Sequence, residues 1–327
     1  MTGPAKATAA MQAVLDQLQR LGAKPLETLT PEQARQQPTP ADAATAAAIA
    51  QGQDGRPETV GDVQERGFDG PAGVVALRLY WPKNATVGDH GLPVVLYIHG
   101  GGWVIADLDV YDASPRALAN AAGAIVVSTH YRQGPEDKFP AAHEDTLAAY
   151  RWALDNAAHF GGDPARIALV GESAGGNMAA NIAIQARDRG WPAPLHQVLV
   201  YPVANNDMDS PSYLENAHAA PLGKAAMAWF VKYAFHSPEQ AADPRIALLK
   251  QPDLAKLPPA TIILAQIDPL RSEGEAYGNK LREAGVDVLV QQYAGVTHEF
   301  FGMAAVVAEA KAAQQLVGKR LAEAFAR

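Results

Sequence analysis

The sequence predicts an α/β fold, in which helices cover both faces of a doubly wound, mostly parallel sheet. From about residue 60 onward, short apolar segments rich in β-branched and aromatic residues alternate with segments of helix length. Nearly continuous apolar strands joined by helices indicate parallel pairing with both faces buried. Some 60 residues without a strand, between Tyr201 and Thr261, predict an insertion beside this sheet.

The predicted strands are bounded by Gly, Pro or Asn, as strands in such folds usually are. They cover residues 74–81, 92–98, 124–128, 166–170, 197–201, 261–265 and 286–292. The helices predicted between them cover residues 112–122, 140–159, 174–189 and 272–284.

Two segments lie outside this alternation. The N-terminal segment has an amphipathic pattern over residues 8–22 and an Ala-rich helical pattern near 41–51. The insertion has a helical run near 222–235. Long excursions from a sheet often form lids over the ligand site. We therefore predict a helical cap on a catalytic core, with the cap formed by residues 1–55 and 204–245 and the core by residues 56–203 and 246–327.

Composition excludes several classes of function. The chain has 27 basic and 35 acidic residues, a net charge of −8, so phosphate backbones and anionic lipid surfaces are unfavourable partners. It has no cysteine, which excludes disulfides, thiolate nucleophiles and Cys-ligated metals. No apolar run approaches the ~18 residues of a membrane span, and the N-terminus lacks a signal-peptide core. We expect a soluble cytoplasmic protein.

The first chemical motif is the pentapeptide Gly-Glu-Ser-Ala-Gly at residues 171–175. A strand is predicted directly before it and a helix directly after it, which is the setting of a nucleophile elbow. The glycines leave room for a sharp turn that exposes the serine hydroxyl. A helix N-cap role explains Ser173 but not the flanking glycines. We therefore predict Ser173 as the nucleophile.

The second motif is His-Gly-Gly-Gly-Trp at residues 99–103, directly after a predicted strand. A flexible turn is the simpler interpretation, yet three glycines are costly in conformational entropy. Without side chains, backbone N–H groups can approach a developing oxyanion, and each such donor contributes roughly 3 kcal/mol. This motif accompanies a nucleophile elbow in lipases and esterases. It predicts an oxyanion hole.

A serine nucleophile needs an acid and a base, and these follow it in the order acid, then histidine, at the ends of later strands. Four histidines follow Ser173, at positions 196, 218, 236 and 298. His298 comes after the strand predicted at 286–292, and Asp268 comes directly after the strand at 261–265. The alternatives are a turn role for Asp268 and a surface-loop role for His298. We predict Asp268 and His298 as partners of Ser173.

The chain resembles the hormone-sensitive-lipase-like group of α/β-hydrolases, the bacterial family IV carboxylesterases. The resemblance covers roughly residues 60–326. The motifs that carry it are His-Gly-Gly-Gly-Trp at 99–103, Tyr-Arg-Gln-Gly-Pro-Glu at 131–136, Phe-Pro-Ala-Ala at 139–142, Phe-Gly-Gly-Asp-Pro at 160–164, Gly-Glu-Ser-Ala-Gly-Gly-Asn at 171–177, Asp-Pro-Leu-Arg at 268–271 and Gly-Val-Thr-His at 295–298.

The resemblance implies an α/β-hydrolase fold with a helical cap and hydrolysis of small-molecule esters without a cofactor or metal. It implies a triad of Ser173, Asp268 and His298, and an oxyanion hole formed by the amides of Gly101, Gly102 and Ala174. We also expect Trp103, Tyr201 and Leu270 to contact substrate. Five positions depart from the family pattern, and they bear on substrate range and pH optimum: Gln133-Gly134, Glu172, Ser272 and Glu299.

Several alternatives remain open from the sequence. A true lipase and an amidase or deacetylase use the same triad, and a non-catalytic receptor can share the fold. Receptors of related ancestry lose the histidine, whereas this chain has His298. Dinucleotide, P-loop and zinc-protease motifs are absent from the sequence. We expect a carboxylesterase acting on short- to medium-chain acyl esters, and the sequence leaves a homodimer open.

Overall fold

The computed structural model describes residues 5–84 and 91–327, and its centre is an eight-stranded sheet. The spatial order of the strands is β1-β2-β4-β3-β5-β6-β7-β8, antiparallel at β1/β2 and β2/β4 and parallel elsewhere. The strands are β1 Asp62–Gly70, β2 Gly73–Trp81, β3 Leu92–Ile98, β4 Ile125–Thr129, β5 Gly162–Glu172, β6 Gln197–Val200, β7 Ala260–Ile267 and β8 Val288–Thr297.

The described residues contain ten α-helices, and N-terminal capping side chains fix where some of them begin. Thr30 and Thr39 each form a capping box with a proline at the next position, which fixes the starts of two N-terminal helices. The helices are α1 Ala9–Arg20, α2 Pro31–Gln36, α3 Pro40–Ala50, α4 Ala113–Ala122, α5 Ala141–Asn156, α6 Ala174–Asp188, α7 Pro211–Glu215, α8 Lys224–Ala234, α9 Arg271–Glu283 and α10 Ala308–Phe325.

The sheet separates two hydrophobic cores, as the apolar runs predict. Along β3, Val94, Leu96 and Ile98 face one core, and Val95 and Tyr97 face the other. Because both sets are fully buried, the sequence of β3 is apolar along most of its length. The predicted α/β fold with helices on both faces is confirmed.

Several elements differ from the prediction, and three of these differences have a clear physical reason. Strand β1 was not predicted, because it lies at the edge of the sheet and none of its residues is fully buried. Strand β8 extends to Thr297, because its pairing with β7 continues to Ile267. Helix α10 was not predicted, although Val317, Leu321 and Phe325 are buried at four-residue spacing on its inner face.

The N-terminal segment and the insertion both lie near the carboxyl ends of the parallel strands. The insertion contains α7 and α8 and no strand. It contacts the N-terminal segment where Trp229 Nε1 donates to the carbonyl of Leu29 at 2.8 Å. The N-terminal segment also contacts β8, where the amide of Thr8 donates to the carbonyl of Gly295 at 2.8 Å. Residues 1–4 of the predicted cap and 85–90 of the predicted core lie outside the described residues.

Candidate active site

Ser173 lies in the turn between β5 and α6. Its backbone has φ +58° and ψ −117°, a conformation that L-residues rarely adopt. The turn also passes close to β3, because a Cβ at Gly175 would lie 2.0 Å from the carbonyl oxygen of Ile98. Glycine at that position therefore allows the tight approach that the elbow requires. The amide of Ser173 donates to the carbonyl of Val200 at 2.8 Å, which ties the turn to β6.

Ser173, His298 and Asp268 form a continuous hydrogen-bonded chain. The Oγ of Ser173 lies 3.0 Å from Nε2 of His298, and Nδ1 of His298 lies 2.8 Å from Oδ2 of Asp268. Asp268 directly follows β7 and His298 directly follows β8, so both side chains meet at the carboxyl edge of the sheet. The other oxygen of Asp268 accepts from the amide of Leu270 at 2.8 Å, which fixes the carboxylate plane.

The three side chains are buried, so the charges of Asp268 and His298 interact strongly. Asp268 is fully buried, and His298 and Ser173 are 3% and 6% exposed. Burial alone lowers the pKa of His298, but Asp268 together with Glu299 and Glu172 outweighs burial, so the pKa of His298 is raised. An imidazolium is therefore stabilised at this position, as a general base requires once it has taken a proton.

The loop after β3 brings Gly101 and Gly102 to the same place. Gly102 has φ +57°, and a Cβ there would lie 2.2 Å from a ring carbon of Phe230 in α8. The amides of Gly101 and Gly102 donate to no protein acceptor within residues 5–84 and 91–327. The hydroxyl of Tyr131 donates to the carbonyl of Gly100 at 2.7 Å, which fixes the backbone directly before these two glycines. Ala174 is the first residue of α6, whose N-terminal end carries free donors.

A cavity of about 1040 Å³ opens over Ser173 and His298. Its walls come from the loop after β3, the N-terminal segment and the insertion. The apolar residues that the last two segments contribute include Leu15, Leu18, Leu26, Ala34, Leu222, Ala226, Met227 and Phe230. Ser173 is therefore reached through a pocket that is lined by both the N-terminal segment and the insertion.

Of the three residues expected to contact substrate, one lines this cavity. Trp103 does, with its ring packed edge-on against Phe235. Tyr201 and Leu270 are fully buried and are not among the wall residues, so their contact with substrate stays a prediction from the sequence. The Tyr201 ring lies beneath His298, with ring centroids 4.4 Å apart, and its hydroxyl donates to Glu172. Leu270 acts through its amide on Asp268.

Two carboxylates near the triad were noticed in the sequence only as departures from the family pattern. Glu172 is buried and accepts from the hydroxyls of Tyr97 and Tyr201, and burial raises its pKa to about 7. Glu299 lines the cavity and accepts from Tyr111. A buried acid beside a nucleophile indicates an ordered polar network, but the tyrosine partners come from distant positions that no local pattern connects.

Comparison with known proteins agrees with this site. A family model described as the α/β-hydrolase fold matches residues 95–302. Esterase LipI of Mycobacterium tuberculosis is 45% identical over 75% of this chain and 77% of its own length. Carboxylesterase NlhH of the same organism is 42% identical over 80% of this chain and 81% of its own length.

A solved structure gives the same result for the whole fold. The hyperthermophilic esterase of Pyrobaculum calidifontis superposes with a TM-score of 0.86 at 34% identity, over 97% of this chain and 98% of that one. No helix in the described part of the chain is long and apolar enough to cross a membrane. The chain belongs to the α/β-hydrolases, in the hormone-sensitive-lipase-like group of family IV carboxylesterases, and is a carboxylic ester hydrolase.

Proposed function

We propose that this carboxylesterase works through a Ser173–His298–Asp268 triad and a covalent acyl-enzyme. One observation carries the proposal: the three side chains are joined by contacts of 3.0 and 2.8 Å at the base of the cavity. His298 takes the Oγ proton through Nε2 as Ser173 attacks the ester carbonyl carbon. Asp268 holds the proton on Nδ1, which leaves Nε2 free to act as the base.

The attack places a negative charge on the former carbonyl oxygen. We assign its stabilisation to the amides of Gly101, Gly102 and Ala174. The free amides of the glycine loop and the first amide of α6 support this assignment. His298 then gives its proton to the departing alkoxide, so the alcohol leaves and the acyl group stays on Ser173. Water repeats the sequence and releases the acid.

The cap is the second part of the proposal. Residues 1–55 and 204–245 together close the acyl pocket over a core of residues 56–203 and 246–327. The contact between Trp229 and Leu29 and the shared lining of the cavity support this division. A closed apolar pocket excludes water and limits acyl length, so we expect short- to medium-chain small-molecule esters as substrates. The cytoplasmic location stays a prediction from the sequence, and a homodimer stays open.

Pre-steady-state kinetics test the covalent mechanism. If an acyl-enzyme accumulates, p-nitrophenyl acetate should release a rapid burst of one p-nitrophenolate per active site before the steady state. If the three residues only bound substrate, the Ser173→Ala variant would retain turnover. Loss of turnover in a folded Ser173→Ala protein is the result that the proposal requires.

A further inference from the structure

A second carboxylate lies on the reactive side of the catalytic histidine. The Oε1 atom of Glu299 is 3.8 Å from Nε2 of His298, the nitrogen that faces Ser173. Its side chain is 22% exposed, and it lines the cavity. Asp268 contacts the opposite nitrogen, Nδ1. The imidazole of His298 therefore lies between two carboxylates.

Glu299 is held in place from its far side. The hydroxyl of Tyr111 lies 2.7 Å from both carboxylate oxygens, so its single proton is shared between them. Tyr111 is itself buried, and a Cβ at Gly100 would lie 2.3 Å from its hydroxyl oxygen, so glycine at position 100 allows this hydroxyl to pack closely against the loop. At 3.8 Å the carboxylate is beyond hydrogen-bonding distance of Nε2, yet it is close enough for a strong charge interaction.

The groups around His298 come from four parts of the fold. Asp268 follows β7, Glu172 ends β5, the Tyr201 ring follows β6, and Glu299 is the next residue in the chain. Three of these four are acids, and no lysine or arginine in the described residues forms an ion pair with any of them. A negative charge near Nε2 favours the imidazolium form, which cannot accept the proton of Ser173.

We propose that Glu299 is a positioning residue that, held by Tyr111, keeps a negative charge beside Nε2 of His298 and so sets the lower pH limit of ester hydrolysis. This inference rests on the triad proposed above. The pKa of His298 agrees with it: burial lowers this pKa, but Asp268 and, further, Glu299 and Glu172 raise it overall. Burial raises the pKa of Glu299, whereas the charge of His298 and the hydrogen bond from Tyr111 favour its carboxylate form. The pH at which activity falls on the acid side therefore reflects the coupled titration of His298 and the neighbouring carboxyl groups, rather than that of His298 alone.

The sign of the effect follows from the proton balance. The free enzyme must have neutral His298, so kcat/KM falls as the pH drops through the pKa of this residue. Glu299→Gln keeps the shape of the side chain and removes its charge, so the imidazolium loses one stabilising neighbour. The acid limb should move to lower pH by about one unit, because an opposite charge at this distance shifts a pKa by roughly that amount or more.

The test is the pH dependence of kcat/KM for p-nitrophenyl acetate, read at the isosbestic wavelength of p-nitrophenol. We expect Glu299→Gln to lower the midpoint of the acid limb and Tyr111→Phe to lower it by less, because the carboxylate then loses the hydrogen bond that holds it and favours its charged form. The double variant should match Glu299→Gln, because Tyr111 acts through the carboxylate. Glu239→Gln, an exposed carboxyl without an ion pair among the described residues, is the charge control and should leave the midpoint unchanged.

A second variant guards against a folding defect. Glu299 has φ +72°, a conformation that glycine adopts freely, so Glu299→Gly should fold and show the same downward shift. An acid limb that stays at its wild-type pH in both active variants would overturn the inference. That result would leave the triad standing, whereas an active Ser173→Ala protein would refute the triad itself.

Discussion

Arg35 of α2 donates from Nε to the carbonyl of Val104 at 2.9 Å, two residues beyond Gly102 of the glycine loop. The same guanidinium donates to the carbonyl of Gly134 at 2.7 Å and forms an ion pair with Glu136 at 2.8 Å. The N-terminal segment is thus bonded directly to the loop that we assign to the oxyanion hole. We therefore expect the N-terminal segment to affect catalysis by fixing this loop as well as by lining the cavity.

Replacing Arg35 should loosen that loop. We expect Arg35→Met to lower kcat for p-nitrophenyl acetate more than it changes KM, and to lower the free energy of unfolding by about 2 kcal/mol because two carbonyls lose a charged donor. Steady-state kinetics and thermal unfolding measure both effects. Arg56→Met, at an arginine whose side chain is 81% exposed, is the matched control. An unchanged kcat in Arg35→Met would show that the loop is rigid without the N-terminal segment.

The acid of the triad can be tested against a second aspartate. Asp268→Asn should lower kcat by about 10⁴-fold, because the amide can stabilise the wrong tautomer of His298 and cannot balance the imidazolium. Asp287→Asn should change kcat little, since that carboxylate is 64% exposed and lies 3.7 Å from Arg320, away from the cavity. Equal thermal midpoints would exclude unfolding as the cause. A larger loss for Asp287→Asn would reverse our assignment of the acid.

Gly102 offers a test of the oxyanion loop. A methyl group at this position would overlap the Phe230 ring, so Gly102→Ala should displace the amide and lower kcat by about 10²-fold, with a smaller change in KM. Adding Phe230→Ala removes the overlap and should restore part of kcat. Normal kcat in the folded single variant would show that this amide does not bind the oxyanion.

The core of the fold was predictable because its strands are buried on both faces and their apolar runs are unambiguous. Strand β1 was missed because the segment Asp62–Gly70 is largely polar and pairs with one strand only. The motif residues Ser173, Asp268 and His298 were predictable because each directly follows a strand, and the carboxyl ends of parallel strands meet at one edge.

The surroundings of the triad were less accessible to sequence reasoning. The hydroxyl of Tyr201 donates to Glu172, a contact that the sequence did not predict. Arg35 reaches Glu136 across 101 positions of the chain, a distance that no local pattern encodes. Contacts between side chains of different elements depend on how those elements pack, and motif spacing carries no information about that packing.

Truncation tests the proposed cap. Removing residues 1–25 deletes the fully buried Met11 and the nearly buried Val14, each of which contributes about 2 kcal/mol of burial, so the unfolding temperature should fall. It also removes Leu15 and Leu18 from the cavity wall. We expect the preference for short acyl chains to weaken across p-nitrophenyl esters from acetate to palmitate. An unchanged profile, or an intact enzyme that hydrolyses palmitate as fast as butyrate, would contradict the cap and favour a true lipase.

Covalent labelling of Ser173 tests the central claim most directly. The protein is treated with a fluorophosphonate, digested and examined by mass spectrometry, with the Ser173→Ala variant treated in parallel. We predict a single phosphonyl adduct on the peptide that contains Ser173, formed with loss of hydrolytic activity and absent from the variant. Equal labelling of the variant, or full activity in labelled protein, would contradict the assignment of Ser173 as the nucleophile.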